Sequence, residues 1–443
     1  MNYLIGLDIG TTAIKGALLS VEGKTLKTVS GAYDYYGEEK TKLQDPDSFL
    51  NVCFSVIKKL TAELSRGERV LAVCSCCASG NLILLDKDCR PITPIIGWQT
   101  EVDRDDLDVF LTQEEQVAVY NVVGWPLLTS FPAAFLIALK LHDPEKLTNA
   151  AVIAMSAEYL NFALTGKWGI SHSMGTPFYL IDQEKGEYYK PFLEKLGITE
   201  DRLPPICKKG TVLGCVKEEI AETIGLSADT KIVLGSFDHP SGAMGAGVFK
   251  EGEMLLSCGT SWVEFFPVRS REIAISTGGL VDRFMLDGAP YCVMKSITSV
   301  SEKIDALRHH YLGDISHEEF SKLAQRAPIG CNGLEFHLTG SDYAIGGNYS
   351  QSDIARAIIE GAARILKENL AELEGCGLKA EKITMIGGIS NSAVCVKIVS
   401  EILERPVAVA NGQATGAVGA AMLAGIGAGV FKNETDAYAQ VNR

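Results

Sequence analysis

The chain has 443 residues, with 41 Lys and Arg against 55 Asp and Glu for a net charge of −14. At roughly 100–200 residues per domain this length predicts two or three domains. The acidic balance excludes nucleic acid or an anionic membrane surface as the main partner, because both need a basic footprint. With 47% hydrophobic and 22% charged residues the chain is neither disordered nor fibrous, and its one excess is glycine, at 44 residues.

The opening MNYLIGLDIG has no cationic segment and meets Asp8 after a short apolar run, so neither a secretory signal nor a membrane anchor is expected and the predicted compartment is the cytoplasm. The 12 cysteines are scattered and form no pair of CxxC units, as buried thiols of a cytosolic protein would. Cys74, Cys76 and Cys77 are the exception. They read either as core thiols of the strand VLAVCSCCAS or as a metal or redox group, and strand alternation favours the first.

In chain order, residues 3–9 read as an apolar strand, and Gly10-Thr11-Thr12 as a turn into the strand AIKGALLS. A third strand, KTLKTVSG, follows Gly23. Asp47 is placed to cap a helix carrying Val52, Cys53, Val56, Ile57, Leu60 and Leu64 at the 3.6-residue period, ahead of an apolar strand at 69–76. Strand, strand, strand, helix, strand opens a ribonuclease-H-like α/β layer. Past a helical middle, EGEMLLSCGTSWVEFFPV repeats the pattern of strand, Gly259-Thr260-Ser261 turn and strand, so the chain reads as two similar halves. The predicted domains are 1–246 and 247–443, divided in the Gly-rich stretch SGAMGAGVFKEG. Ser350 and Asp353 form a capping box for a helix at about 351–374, with Ile354, Ile358, Ile365 and Leu366 on its core face. The strand KITMI, Gly387-Gly388 and the helix NSAVCVKIVSEIL make a strand–loop–helix unit whose helix N-terminus suits phosphate or ribose oxygens. The chain closes on a small-residue helix, ATGAVGAAMLAGIGAGVF, suited to close backbone packing.

Three acidic or hydroxyl-bearing features can carry chemistry. Asp8 ends a hydrophobic strand, where an ionised carboxylate needs donors or a cation; it either caps its turn or holds magnesium, directly or through water. The turns at Gly10, Thr11, Thr12 and at Gly259, Thr260, Ser261 offer hydroxyls and unobstructed amides to phosphate oxygens. Asp238, after the strand KIVLG and before a helix read as opening at Pro240, is either a helix N-cap or a general base; His239 beside it is structural or a substrate contact.

Together these strings resemble the FGGY carbohydrate kinases of the actin-like ATPase superfamily, over nearly the whole length. GLDIGTTAIKGALL is similar to that family's first phosphate motif, LSCGTSWV to its second, and GSFDHPSGAMGAGV to its catalytic-aspartate segment. MIGGISNSAVCVKIVSEIL with TGAVGAAMLAG resembles its adenosine motif and closing helix. The resemblance implies two ribonuclease-H-like domains flanking a deep nucleotide and sugar cleft, with ATP and Mg2+ as cofactors. It implies Asp238 as catalytic base, Asp8 holding magnesium through water, Thr260 and its neighbours on the phosphates, and Gly387, Gly388, Asn391 and Ser392 around the adenosine. Dimerisation is an expectation of the resemblance alone.

Departures fall in the sugar-binding half. Ser79, Gly80 and Asn81 occupy the place of a Gln-Met-His-Gly-like substrate loop. The family's Trp-x-Asp-x-Arg pattern becomes Trp98-Gln99-Thr100-Glu101-Val102, with Asp103 and Arg104 as substitutes only after a shift, and its Lys and Trp stand as Phe135 and Ala138. Trp98 either stacks on a sugar or fills core. The expected function is therefore ATP-dependent phosphorylation of a sugar or polyol; the alternative is a sugar-sensing or nucleotide-switched binding protein of the same superfamily.

Overall fold

The first strand, Asn2–Ile9, is apolar on both faces, and in the computed structural model it lies inside a sheet. The structure describes residues 1–38, 40–78, 80–259, 261–285, 290–338, 345–410 and 414–442. These form two units. One comprises Met1–Gly247, Leu280–Leu286 and Gln413–Arg443, the other Val248–Gly279 and Asp287–Gly412.

In the first unit, Asn2–Ile9, Ala13–Ser20 and Thr25–Ala32 form an antiparallel meander. Arg69–Cys77 pairs parallel to the opposite side of the first strand, Lys231–Val233 pairs parallel to Arg69–Cys77, and Val212–Cys215 closes the edge. The register sets Asp8 between Lys15 and Cys76. Cys74, Cys76 and Cys77 are buried free thiols here, and among the described residues no group of three or more His, Cys, Asp or Glu is arranged to hold a metal ion. The helix Pro46–Thr61 covers the meander through Phe49, Cys53, Val56, Ile57 and Leu60. Its cap is Asp45, which accepts from the Ser48 amide, and not Asp47 as expected. Pro46 decides this: lacking an N–H, it fits the first helical position and puts the cap on the residue before it, Asp45.

The second unit repeats the layout. Gly252–Cys258, Trp262–Val268 and Tyr291–Ile297 make the meander, Ala380–Gly387 runs parallel to the first of these, and Val407–Val409 extends the parallel side. The helix Gln351–Gly375 has the expected Ser350 and Asp353 capping box. Its buried face differs from the expected one. Ile358 and Leu366 are buried with Ala355, Ile359, Ala362 and Ala363, whereas Ile354 and Ile365 are half-exposed, because small alanines let the helix sit close and turn its stripe.

The small-residue helix, Thr415–Ala428, packs in the first unit, against the first strand and the helix Asp238–Ala246, and a further helix, Glu434–Val441, follows it. A Cβ on Gly6 would stand 1.8 Å from the Ala417 carbonyl oxygen, one on Gly245 2.0 Å from that of Thr415, and one on Gly419 2.0 Å from that of Ser241. Backbone therefore meets backbone at all three positions, and any side chain there would force the elements apart. Among the described residues, no helix is long and apolar enough to cross a membrane.

Candidate functional site

Asp8 emerges at the end of its strand beside the first turn of Thr415–Ala428: a Cβ on Gly416 would approach its Oδ2 to 2.6 Å. The Cys76 thiol lies 3.7 Å from Asp8 Oδ1 and also points at the Gly416 carbonyl, to which Ser241 donates at 2.9 Å. Burial, with the Asp238 carboxyl next in weight, raises the Asp8 carboxyl to about 6, while Lys15 pulls it back. Two carboxyls that repel one another at the end of one sheet are a donor set a divalent cation relieves.

Asp238 follows the strand Lys231–Val233 and is the first residue of its helix, which starts two residues ahead of the expected Pro240. Phe237 holds the cap position with no side-chain bond, so Asp238 is not the N-cap; its Oδ1 accepts from the His239 amide at 2.8 Å. Burial raises its carboxyl above the usual range, with His239 and that amide acting in the opposite direction.

An aromatic wall runs from the first turn toward Asp238. The Trp98 indole donates to Thr11 Oγ1 at 3.1 Å, and its ring stacks on Phe131 at 6.0 Å. Trp125 meets Phe131 edge-on at 5.1 Å and Phe237 at 5.6 Å, and Phe237 meets the His239 ring at 5.4 Å. Gly80 lies under this wall. At φ +95°, a Cβ would fall 2.0 Å from Phe131 Cδ1, so only glycine fits beneath the ring. Asn81 is engaged elsewhere, its Nδ2 donating to Ser156 Oγ at 2.9 Å and its Oδ1 accepting from the Ser156 amide at 2.7 Å. Ser79 lies outside the described residues. Asp103 caps the helix Arg104–Phe110, and Arg104 pairs with Asp108 at 2.9 Å while bonding Gln116 and the Leu127 carbonyl. Both are thereby held in local structure.

In both glycine–hydroxyl turns the glycine carbonyl accepts from a side-chain hydroxyl. The Gly10 amide closes its turn on the Ala13 carbonyl at 3.1 Å, and the Gly10 carbonyl accepts from the buried Tyr33 hydroxyl. In the second unit the Gly259 carbonyl accepts from Ser301 Oγ at 2.6 Å, itself an acceptor for the Trp262 indole at 3.3 Å. Thr12 is exposed, Ser261 Oγ accepts from the Ser299 amide at 3.4 Å, and Thr260 lies outside the described residues.

Gly387, at φ +100°, pairs with Cys258, and a Cβ on it would lie 2.1 Å from the Cys258 carbonyl oxygen. Gly388 and Asn391 are exposed, and Ser392 caps the helix Ala393–Leu403 by accepting from the Cys395 amide at 3.3 Å. Along that helix a cavity of about 750 Å³ is lined by Ser390, Asn391, Val396, Lys397 and Arg405. Another, of about 840 Å³, opens among Lys167, Trp168, Tyr188, Lys190 and Arg202 and holds none of the expected site residues.

Asp282 gave no sequence signal. Flanked by Val281 and Arg283 in GGLVDRFM, it resembles a surface charge, yet it is fully buried in the first unit.

Two family models account for most of the chain: the N-terminal domain of the FGGY family of carbohydrate kinases over residues 3–245 and its C-terminal domain over 255–428. The chain belongs to that family. Among curated relatives, xylulose kinase of Staphylococcus epidermidis is 26% identical over 97% of this chain and 89% of its own length. That of Bacillus subtilis is 24% identical over 98% and 90%. Autoinducer-2 kinase of Klebsiella pneumoniae is 24% identical over 97% and 87%. Among solved structures, ligand-bound xylulose kinase from Lactobacillus acidophilus superposes with a TM-score of 0.90 at 23% identity, covering 99% of this chain and 91% of its own. Glycerol kinase of Plasmodium falciparum with ADP gives 0.89 at 18%, covering 100% and 93%. The fold is thus that of the FGGY kinases, and this FGGY chain is an ATP-dependent sugar kinase.

Proposed function

We propose that the chain transfers the γ-phosphate of ATP to a hydroxyl of a ketose of the xylulose kind, with Asp238 as general base. The observation that carries this reading is Asp238 itself: a carboxyl raised by burial, fixed in the first turn of a helix at the end of an apolar strand, beside Asp8 and an aromatic wall. A raised carboxyl is the stronger base, and phosphoryl transfer asks mainly for positioning, local positive field and an aligned nucleophile. The acceptor hydroxyl gives its proton to Asp238 as its oxygen bonds to the γ-phosphorus, the bond to the β-phosphate oxygen breaks, and ADP leaves. The partly exposed rings of Trp98 and Phe131, backed by the fully buried Trp125, offer apolar surface to the C–H face of a sugar. The turn residues Gly10, Thr11, Thr12, Gly259, Thr260 and Ser261 hold phosphate oxygens, while Gly387, Gly388, Asn391 and Ser392 frame the adenosine. The Asp8 carboxyl, raised by burial and by Asp238, suits Mg2+ held through water. When bound, the metal neutralises charge on the phosphates.

That several curated relatives are xylulose kinases supports a ketose as the acceptor. The test is coupled ADP release with MgATP over a panel of ketoses, aldoses and polyols that includes D-xylulose, L-xylulose and glycerol. A ketose should give the highest kcat/KM, and Asp238→Asn should lower kcat about 10²- to 10⁴-fold. No ADP above background on any acceptor, or undiminished turnover by the Asn variant, overturns the proposal.

A further inference from the structure

Asp282 is 0% exposed, and its carboxyl accepts short bonds from one helix and from the amide of the next residue. Ser173 Oγ donates to Oδ2 at 2.7 Å, Thr176 Oγ1 to Oδ1 at 2.7 Å, and the Arg283 amide to Oδ1 at 2.7 Å. Both hydroxyls come from the helix His172–Phe178. Gln183 fixes the other side, its Nε2 donating to Thr176 Oγ1 at 3.2 Å and to the Val281 carbonyl at 2.7 Å.

A serine hydroxyl has one proton. Because Ser173 gives it to Asp282, its oxygen is left an acceptor, and it takes the Phe237 amide at 3.1 Å. Phe237 is the cap residue directly before Asp238, and its carbonyl accepts from the Ser241 amide to start the helix. The chain of bonds runs from Asp282 through Ser173 to the peptide that aims Asp238. We propose that Asp282 is a positioning residue for Asp238, acting by fixing the direction of the Ser173 hydroxyl. The inference rests on Asp238 being the base.

The charged groups around Asp282 agree with an ionised carboxylate at alkaline pH. Lys209 faces it, held by the Phe284 carbonyl and by Glu434 at 3.2 Å. The Arg283 guanidinium is turned to the Gln183 and Glu184 carbonyls, and burial lowers the proton affinity of His172. Burial lifts Asp282 to about 7 against its three donors and Lys209.

The test uses Asp282→Asn and Ser173→Ala in the full chain at about pH 8. Displacing a base by a fraction of an ångström to 1 Å predicts a kcat loss of about 10- to 100-fold with both KM values within about threefold. Because both residues act through one bond, the double variant should be no slower than the worse single one. Hydrogen–deuterium exchange gives a readout independent of turnover: the Phe237 amide should exchange faster in both variants. Losses below about fivefold in folded variants, additive losses, or unchanged Phe237 protection overturn the inference. Should the parent phosphorylate no acceptor, the proposed function fails, and the exchange result alone decides the role of Asp282. If Asp282→Asn does not fold, Ser173→Ala decides it.

Discussion

Asp8→Asn removes a charge that the fold bears at a cost. Burial and the Asp238 carboxyl raise Asp8 from 3.8 to about 6. A carboxyl whose folded value lies above its unfolded one weakens the fold when ionised, so the cost is full above about pH 6 and gone below about pH 4. At about 1.36 kcal/mol per pH unit, the rise from 3.8 to about 6 corresponds to about 3 kcal/mol. Asn has the same shape and keeps an oxygen facing the Cys76 thiol. The half-buried position leaves part of the charge to solvent, so the expected gain in stability at about pH 8 is ~2 kcal/mol, shrinking to nothing as the pH falls to about 4. Urea denaturation of both proteins over that range, in the absence of nucleotide and divalent cation, reads the difference. An Asn variant no more stable than the parent at alkaline pH, or a gain that persists unchanged in acid, refutes the reasoning. The same substitution should depress phosphotransfer, so stability and activity would move in opposite directions.

Gly80→Ala combines a Cβ at 2.0 Å from Phe131 with φ +95°. It should cost about 2–4 kcal/mol and change tryptophan fluorescence, since Trp98 and Trp125 flank the displaced ring; an unaltered spectrum and stability would count against the packing described. Gly387→Ala, with a Cβ at 2.1 Å from the Cys258 carbonyl, should destabilise the second unit by about 2–4 kcal/mol and raise the KM for ATP. A KM unchanged in a folded variant would separate Gly387 from the nucleotide.

The opening strands of both sheets were legible because apolar runs meet there at the Gly10 and Gly259 turns, a local signal that repeats, whereas Val212–Cys215 and Tyr291–Ile297 were not expected. The Ser350 and Asp353 capping box was legible for the same reason: the partners are three residues apart and meet on forming one turn. What escaped depends on residues distant in the chain. Asn81 reads as a loop polar group and turns out to cap a helix beginning 75 residues later. The positive φ of Phe131, the cap residue before Pro132, carries no sequence signal, and neither does the packing of Gly80, Trp98 and Trp125 around its ring. Asp282 could not be told from a surface charge until the hydroxyls of Ser173 and Thr176 were placed beside it. Asp8 and Asp238 were visible as acids ending apolar strands, but their mutual repulsion needed the structure.

The packing of Thr415–Ala428 against the first strand has a consequence for how the chain is made. The ribosome releases the first strand before the second unit and this helix only after it. The second unit can therefore collapse during synthesis, whereas the first waits with Gly6, Gly245 and the strand end at Asp8 uncovered. The half of the protein that carries Asp238 is begun first and finished last, and through that interval its apolar strands are the natural clients of chaperones.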